Sequence, residues 1–290
     1  MSNKITTILK PHTRDLGGFT VRRVLPSAAH EMIGSFIFFD HMGPVVMPPG
    51  QGLDVRPHPH IGLATVTYLF EGEIEHRDSL GSVQVIRPGD VNWMTAGRGI
   101  VHSERSPAAV RAAGATMQGI QTWVALPVSA EETAPQFFHH PKATLPVVQT
   151  DGSTVRMIAG HGFGLRSPVD VFSPTLYAAI EFAANASLTI PPEHIERAVY
   201  AVDAPLLVDG QRLDPGQMAV LSAGQAVQVI APAAARAMLI GGAPMDGRRF
   251  IWWNFVASSK QRIDTAKADW AAERFDPVAG ETERIPLPER

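Results

Sequence analysis

Residues 63–94 read LATVTYLFEGEIEHRDSLGSVQVIRPGDVNWM. Leu63 to Phe70 is β-branched and aromatic with partial alternation, the composition of a half-buried strand. Glu71-Gly72-Glu73 breaks it, and Ile74 to Asp78 leads to a Ser79-Leu80-Gly81-Ser82 turn. Val83 to Ile86 follows, closed by Arg87-Pro88-Gly89-Asp90, and then Val91 to Met94. Strand succeeds strand with no helical spacing between, so the stretch predicts an antiparallel sandwich or barrel. The 24 prolines and 25 glycines of the chain supply the breaks that many short strands need.

Working outward, two histidine-bearing strand ends flank this stretch. Upstream stands Arg56-Pro57-His58-Pro59-His60; downstream stands Gly97-Arg98-Gly99-Ile100-Val101-His102-Ser103-Glu104. Side chains two apart on extended chain share a face, so His58 pairs with His60 and His102 with Glu104. Pro57 and Pro59 place the first segment at a strand start or barrel edge, and Pro59 biases His58 toward extended backbone. If the two strands face one another, three imidazoles and a carboxylate converge. Such a nitrogen and oxygen set suits a divalent first-row metal such as iron, and other divalent transition metals can substitute. The glycines at 97 and 99 let the chain turn tightly toward the site; without a following helix they are not a phosphate loop.

A weak internal repeat divides the chain. The run from Arg87 to Gly97 resembles the run from Asp214 to Gly224: both read X-Pro-Gly, four mostly apolar residues, then Thr/Ser-Ala-Gly. Val66 to Glu71 resembles Ala198 to Asp203 in the same way. Two related domains are expected, 1–145 holding the metal and 146–290 without ligands, with the proline-rich run 134–147 as linker. On these registers the places of His58, His60, His102 and Glu104 fall on Ile190, Pro192, Val229 and Ala231, none of which binds a metal. Near the C-terminus, Ile263, Ala266 and Trp270 have helical spacing, and Ser258 with Gln261 fits a capping box. A short helix packed back on a barrel is expected there, with Trp252-Trp253-Asn254-Phe255 as the core of a last strand against it.

Composition bounds the rest. At 290 residues, 45% hydrophobic and 18% charged, the chain has an ordinary globular profile. A net charge of −3 gives no reason to expect nucleic acid or membrane as a partner. The absence of cysteine excludes disulfides, zinc ribbons, iron–sulfur clusters and cysteine nucleophiles. Met1 to Thr6 lacks the apolar run of a signal peptide, so a cytoplasmic location is expected. The remaining histidines carry less. His76 reads as a solvent-facing residue of a polar hairpin, and the neighbours His139 and His140 point opposite ways on extended chain. His161 and His194 read as structural, and His12 and His30 carry no signal.

The quoted residues resemble the pirin family of the cupin superfamily, in particular its bacterial members. The match is carried by Phe39-Asp40-His41-Met42-Gly43-Pro44, by the Pro-His-Pro-His-Ile-Gly run at 57–62, by Thr67 to Gly72, and by Asp90 to Glu104. It is dense over the first 125 residues and looser beyond. The resemblance implies an all-β chain with two cupin jelly-roll barrels in tandem and a short C-terminal helix. It implies iron in the first barrel, held by His58, His60, His102 and Glu104, with no other cofactor. The carboxylate that other cupins carry a few residues after the second histidine is replaced here by Ala64 and Thr65, and Glu104 supplies it. His41 becomes a candidate to support the ligands from behind. Some pirins act as quercetin 2,3-dioxygenases, which implies O2 and a flavonol- or catechol-like substrate, with Glu104 also a candidate base. Others act as regulators, which implies the alternative of a non-enzymatic, redox-sensing iron protein that binds a protein partner.

Overall fold

The computed structural model describes residues 4–15 and 19–289; Met1 to Asn3, part of the segment read above for a leader, lie outside them. The expected all-β class holds: strands make up nearly all of the regular structure, with short helices at Ala108–Ala113 and Lys260–Ala271.

The chain forms two compact units. The first comprises Met1–Arg14, Arg22–Asp40 and Ala143–Met245; the second comprises Asp15–Val21, His41–Lys142 and Asp246–Arg290. A single division at 145/146 therefore does not describe them. The strand Ile5–Leu9 pairs antiparallel with Met218–Leu221, far along the chain, and the C-terminal segment joins the unit that carries His58 and His102. Backbone pairing, which ignores sequence distance, decides this membership.

In the first unit a large sheet runs in the order Ile5–Leu9, Met218–Leu221, Glu196–Ala201, Ala235–Gly242, Thr175–Phe182, Ser153–Gly162, Val147–Thr150. A smaller sheet runs Ala186–Ile190, Val227–Ala231, Leu206–Val208, Gln211–Leu213. Their facing side chains, among them Leu188, Ile190, Val227, Val229, Ala231, Val199 and Leu239, make one apolar core.

The second unit repeats the plan. Its smaller sheet runs Asp54–His60, Ile100–Arg105, Ile74–Asp78, Val83–Ile86, the same order as the smaller sheet of the first unit. Its larger sheet includes Gln136–His140, Val91–Thr95, Leu63–Glu71 and Ala115–Ala125. The run expected as a linker thus contains a paired strand: Phe138 lies opposite Trp93 and His139 opposite Asn92. Leu53, Leu69, Ile74, Ile86 and Met117 form an apolar core of this unit. The polar side chains described below are buried in the same unit.

A further apolar cluster ties the C-terminal segment to this unit. Ile263, Ala266 and Trp270 of the helix pack with Phe255, Ala257, Ile61 and Val101. The helix begins one residue later than the capping pattern predicts: the Ser259 side chain accepts from the Arg262 N–H, while Ser258 Oγ donates to Glu131 Oε1 at 2.6 Å. Phe250–Trp252 and Phe255–Ala257 form a two-stranded hairpin, whose turn at Trp253 and Asn254 matters for the site.

Candidate metal centre

The strands Asp54–His60 and Ile100–Arg105 pair antiparallel, with His102 opposite His58 and Ile100 opposite His60. His58 and His60 therefore face inward together, and His102 meets them from the neighbouring strand. One ring nitrogen from each lies within 4.8 Å of the others. His60 Nε2 and His102 Nε2 are 3.1 Å apart. The approach of the chain to this point needs glycine at two places. Gly62 (φ +67°) and Gly97 (φ +51°) are left-handed, and a Cβ there would stand 2.0 Å from Val256 O and 2.1 Å from Thr133 O.

Burial sets the protonation of the three rings. They are 7%, 1% and 1% exposed, and desolvation disfavours imidazolium. The pKa of His60 and of His102 is held well below the ordinary histidine value, first by burial and then by the neighbouring histidines. That of His58 is also lowered, burial outweighing the opposing pulls of the Arg56 carbonyl and the Glu104 charge. All three rings are neutral near pH 7 and each has a lone pair to offer.

The hydrogen bonds say which nitrogen offers it. His58 Nδ1 lies 2.9 Å from Arg56 O, and His60 Nδ1 lies 3.2 Å from Asn254 O. A carbonyl only accepts, so both Nδ1 atoms carry the proton and both Nε2 atoms keep a lone pair that a cation can use. His102 Nδ1 faces another imidazole, His76 Nδ1, at 3.3 Å. Two neutral ring nitrogens 3.1 Å apart, with a third converging, fit a borderline divalent metal held by nitrogen.

Glu104 shares the inward face of its strand, opposite His76. Its carboxylate is not within the same radius of all three histidine nitrogens. Gln121 Nε2 donates to both of its oxygens, at 3.0 and 2.9 Å, and Thr67 Oγ1 donates to one at 3.4 Å. A break in the pairing between His102 and Glu104, where His58 is followed by Val55 on the partner strand, accompanies this offset.

His41 is buried, but it accepts from Gln118 Nε2 at 3.1 Å and packs against Phe70. Among the described residues, the ring nitrogens turned away from the cluster are met by Arg56, Asn254 and His76 rather than by His41. His76, read from sequence as solvent-facing, is 3% exposed. Its ring stacks on Phe137 at 4.2 Å, and its Nε2 lies 3.0 Å from Asp78 Oδ2. Burial pushes the Asp78 carboxyl up, but its hydrogen bonds to His76 and Ser82 outweigh that, and its pKa lies below the ordinary carboxylate value. The signal for this pair was the alternation Ile74, His76, Asp78, which puts both polar residues on the apolar face of the strand. Asn254 had no local signal, because it reaches His60 only through the C-terminal hairpin. Arg105 is committed to Glu281, at 2.7 and 2.9 Å, and to Asp54 at 3.1 Å.

In the first unit the matching sheet positions are apolar. Leu188 lies opposite Val229, as His58 lies opposite His102, so the pairing puts Leu188 and Ile190 at the places of His58 and His60, two residues before those the sequence repeat suggests. His194 Nε2 donates to His161 O at 2.9 Å, and the two rings lie 4.5 Å apart; neither joins a cluster of metal-binding side chains among the described residues.

Comparison with known proteins agrees with this architecture. The Pirin family model matches residues 18–124, and that of the Pirin C-terminal cupin domain matches 177–276. A pirin-like protein of Caulobacter vibrioides is 50% identical over 289 residues, covering 98% of this chain and 100% of its own. Pirin of Homo sapiens is 31% identical over 278 residues, covering 93% and 92%. The crystal structure of quercetin 2,3-dioxygenase from Acinetobacter baumannii has a TM-score of 0.92 and 36% identity, covering 98% of this chain and 95% of that one. Both halves are matched, and the likeness to a pirin-like protein runs the length of the molecule: the chain belongs to the pirin family.

Proposed function

We propose that the protein is an iron-dependent dioxygenase that opens a flavonol- or catechol-like ring with O2. The observation that carries the reading is the convergence of three neutral imidazoles beside a carboxylate held at both oxygens by one amide. The likeness to a quercetin 2,3-dioxygenase structure supports the choice of reaction. His58, His60 and His102 hold the metal, and Glu104 either completes the set or stands beside it. A divalent iron bound there supplies open coordination positions and redox chemistry with O2.

The protein's own groups do the rest. Glu104 accepts the proton of the substrate hydroxyl. A base must keep an oxygen aimed at that proton, and the Gln121 amide, bridging both oxygens, fixes the plane of the carboxylate. Trp123, edge-on to His60 at 5.3 Å between ring centroids, offers an apolar wall suited to an aromatic substrate. The second reading, a redox-sensing binding protein, draws on the burial of all three histidines, which suits a metal that is not meant to meet substrate.

The test is anaerobic loading with Fe(II), followed by oxygen uptake over a panel of flavonols, catechols and enediols. Uptake in proportion to bound iron and substrate is expected. Equal uptake by iron-loaded and metal-free protein would end the oxygenase reading. The sensor reading requires no uptake, together with a change in partner affinity between the ferrous and ferric forms.

A further inference from the structure

We infer that His76 and Asp78 form a proton-directing pair that selects the metal-binding tautomer of His102. The inference rests on the metal reading of the centre but not on the oxygenase reading.

The three candidate ligands are not equivalent behind the site. His58 and His60 each turn Nδ1 toward a backbone carbonyl, and a carbonyl can only accept. Their tautomers have no alternative while those bonds stand. His102 turns Nδ1 toward His76 Nδ1 instead. An imidazole nitrogen donates or accepts, so this contact alone leaves the proton free to sit on either ring. If His76 Nδ1 donates, His102 must accept on Nδ1 and carry its proton on Nε2. That is the nitrogen that faces His60 Nε2, and a protonated Nε2 binds no metal. If His76 Nδ1 accepts, His102 is protonated on Nδ1 and its Nε2 joins the other two.

Without a metal, the His60 Nε2 lone pair 3.1 Å away favours a proton on His102 Nε2, and Asp78 is the group that opposes it. Its Oδ1 accepts the N–H groups of Leu80 and Ser82 at 2.9 and 3.0 Å, which fixes the carboxylate in the turn. Its Oδ2 faces His76 Nε2 at 3.0 Å. An acceptor there keeps the His76 proton on Nε2 and leaves Nδ1 as the lone pair. The order is then Asp78 carboxylate, His76 Nε2–H, His76 Nδ1, His102 Nδ1–H, with His102 Nε2 open. The pairing register supports the chain, since His102 lies opposite Asp78 and Glu104 opposite His76 on one inward face. The His76 ring is held flat by Phe137 at an interplanar angle of 10°, which limits its rotation. Asp78 and His76 are therefore positioning residues: they act on the metal through His102. Partners of this kind behind ligating histidines typically contribute 10–100-fold to metal affinity.

Asp78→Asn is the sharpest probe, because it keeps an oxygen for Leu80 and Ser82 and presents an N–H to His76. The whole arrangement then reverses. Nickel(II) affinity by chelator competition should fall by about 10–100-fold, while the thermal midpoint of the metal-free protein stays close to wild type. Long-range 1H–15N correlation spectra of the metal-free protein should show the His102 proton moved from Nδ1 to Nε2. Nickel affinity within twofold of wild type, or a His102 proton that stays on Nδ1, would overturn the inference. A second pair of variants covers the case in which Asp78→Asn does not fold. His76→Phe keeps the stack on Phe137 but offers no acceptor; His76→Asn loses the ring but places an amide oxygen near the position of Nδ1. The asparagine variant should bind nickel more tightly than the phenylalanine variant. The reverse order would mean that His76 serves packing alone and would end the proposal. Wild-type protein that takes up no nickel would defeat the metal reading itself, and this inference with it.

Discussion

At the scale of single residues, the proposed roles of ligand and base separate by substitution. His60→Ala removes an inward imidazole from a sheet whose stability comes from apolar burial elsewhere, so metal affinity should fall by more than about 100-fold while the protein stays folded. Circular dichroism beside a metal titration checks both halves; unfolding of the variant under conditions where metal-free wild type is folded would contradict it. Glu104→Gln keeps shape and removes the charge and the basic lone pair. Oxygen uptake per bound iron should drop by about 100-fold or more, the scale of a general base; equal rates would leave Glu104 a replaceable neighbour. A third expectation concerns pH. The three clustered histidines have pKa values lowered in the fold, so they are protonated in the unfolded chain before they are in the folded one. Metal-free stability should therefore decline as pH falls below about 6.5, by at most about 1.4 kcal/mol per pH unit for each histidine. Denaturant melts between pH 7.5 and 5.5 test the sign, and His60→Ala should flatten the slope. The cluster of His58, His60 and His102 was legible because alternation on a strand is a local rule. His76 was not read correctly, although the same rule applied to it, because the polar Glu75, Arg77 and Ser79 around it suggested a solvated hairpin. The acceptors behind the ligands were beyond reading where they come from distant chain, as Asn254 does for His60.

At the scale of elements, strand and turn positions between residues 63 and 105 follow from sequence, because each strand there is bounded by its own Gly, Pro or Ser cluster. The linker expectation holds at Lys142/Ala143, where the chain passes from one unit to the other inside the run 134–147, and fails for the first part of the run, whose partner is remote. Gln136–His140 looks irregular alone and becomes a strand only by pairing with Val91–Thr95. The helix was legible from Ile263, Ala266 and Trp270, which are its buried residues. Its packing against the Trp252–Phe255 segment was legible as well; Ile61 and Val101, which complete the cluster, were not, since spacing names a buried face and not every partner. Trp270 fills the cluster with Phe255 and Val101 and donates from Nε1 to Ile285 O at 3.0 Å. Trp270→Ala should cost about 3–5 kcal/mol, read as a lowered unfolding midpoint. It should also weaken metal binding, because the adjoining hairpin carries the Asn254 carbonyl. An unchanged metal affinity would show that the hairpin holds its place without the helix.

At the scale of the molecule, the two units share the strand order of their smaller sheets and differ in what fills them. One has Leu188 and Val229 where the other has His58 and His102, and the apolar pair sits in a continuous core. A fully loaded sample should hold one tightly bound metal per chain by elemental analysis; two would require a site outside these sheets. The duplication was visible in the repeated X-Pro-Gly turns. The exchange of terminal segments was not, since no local pattern records which of two similar sheets a strand will join.

That exchange has a consequence for synthesis. The strand Ile5–Leu9 emerges first, yet its partner Met218–Leu221 follows about two hundred residues later, a wait of some ten to forty seconds at ordinary elongation rates of about 5–20 residues per second. The acceptor for His60 and the Glu281 clamp on Arg105 emerge later still. A nascent chain therefore carries its three histidines well before the carbonyl that orients His60 has been made, and the candidate centre takes its full form only after the C-terminal hairpin does.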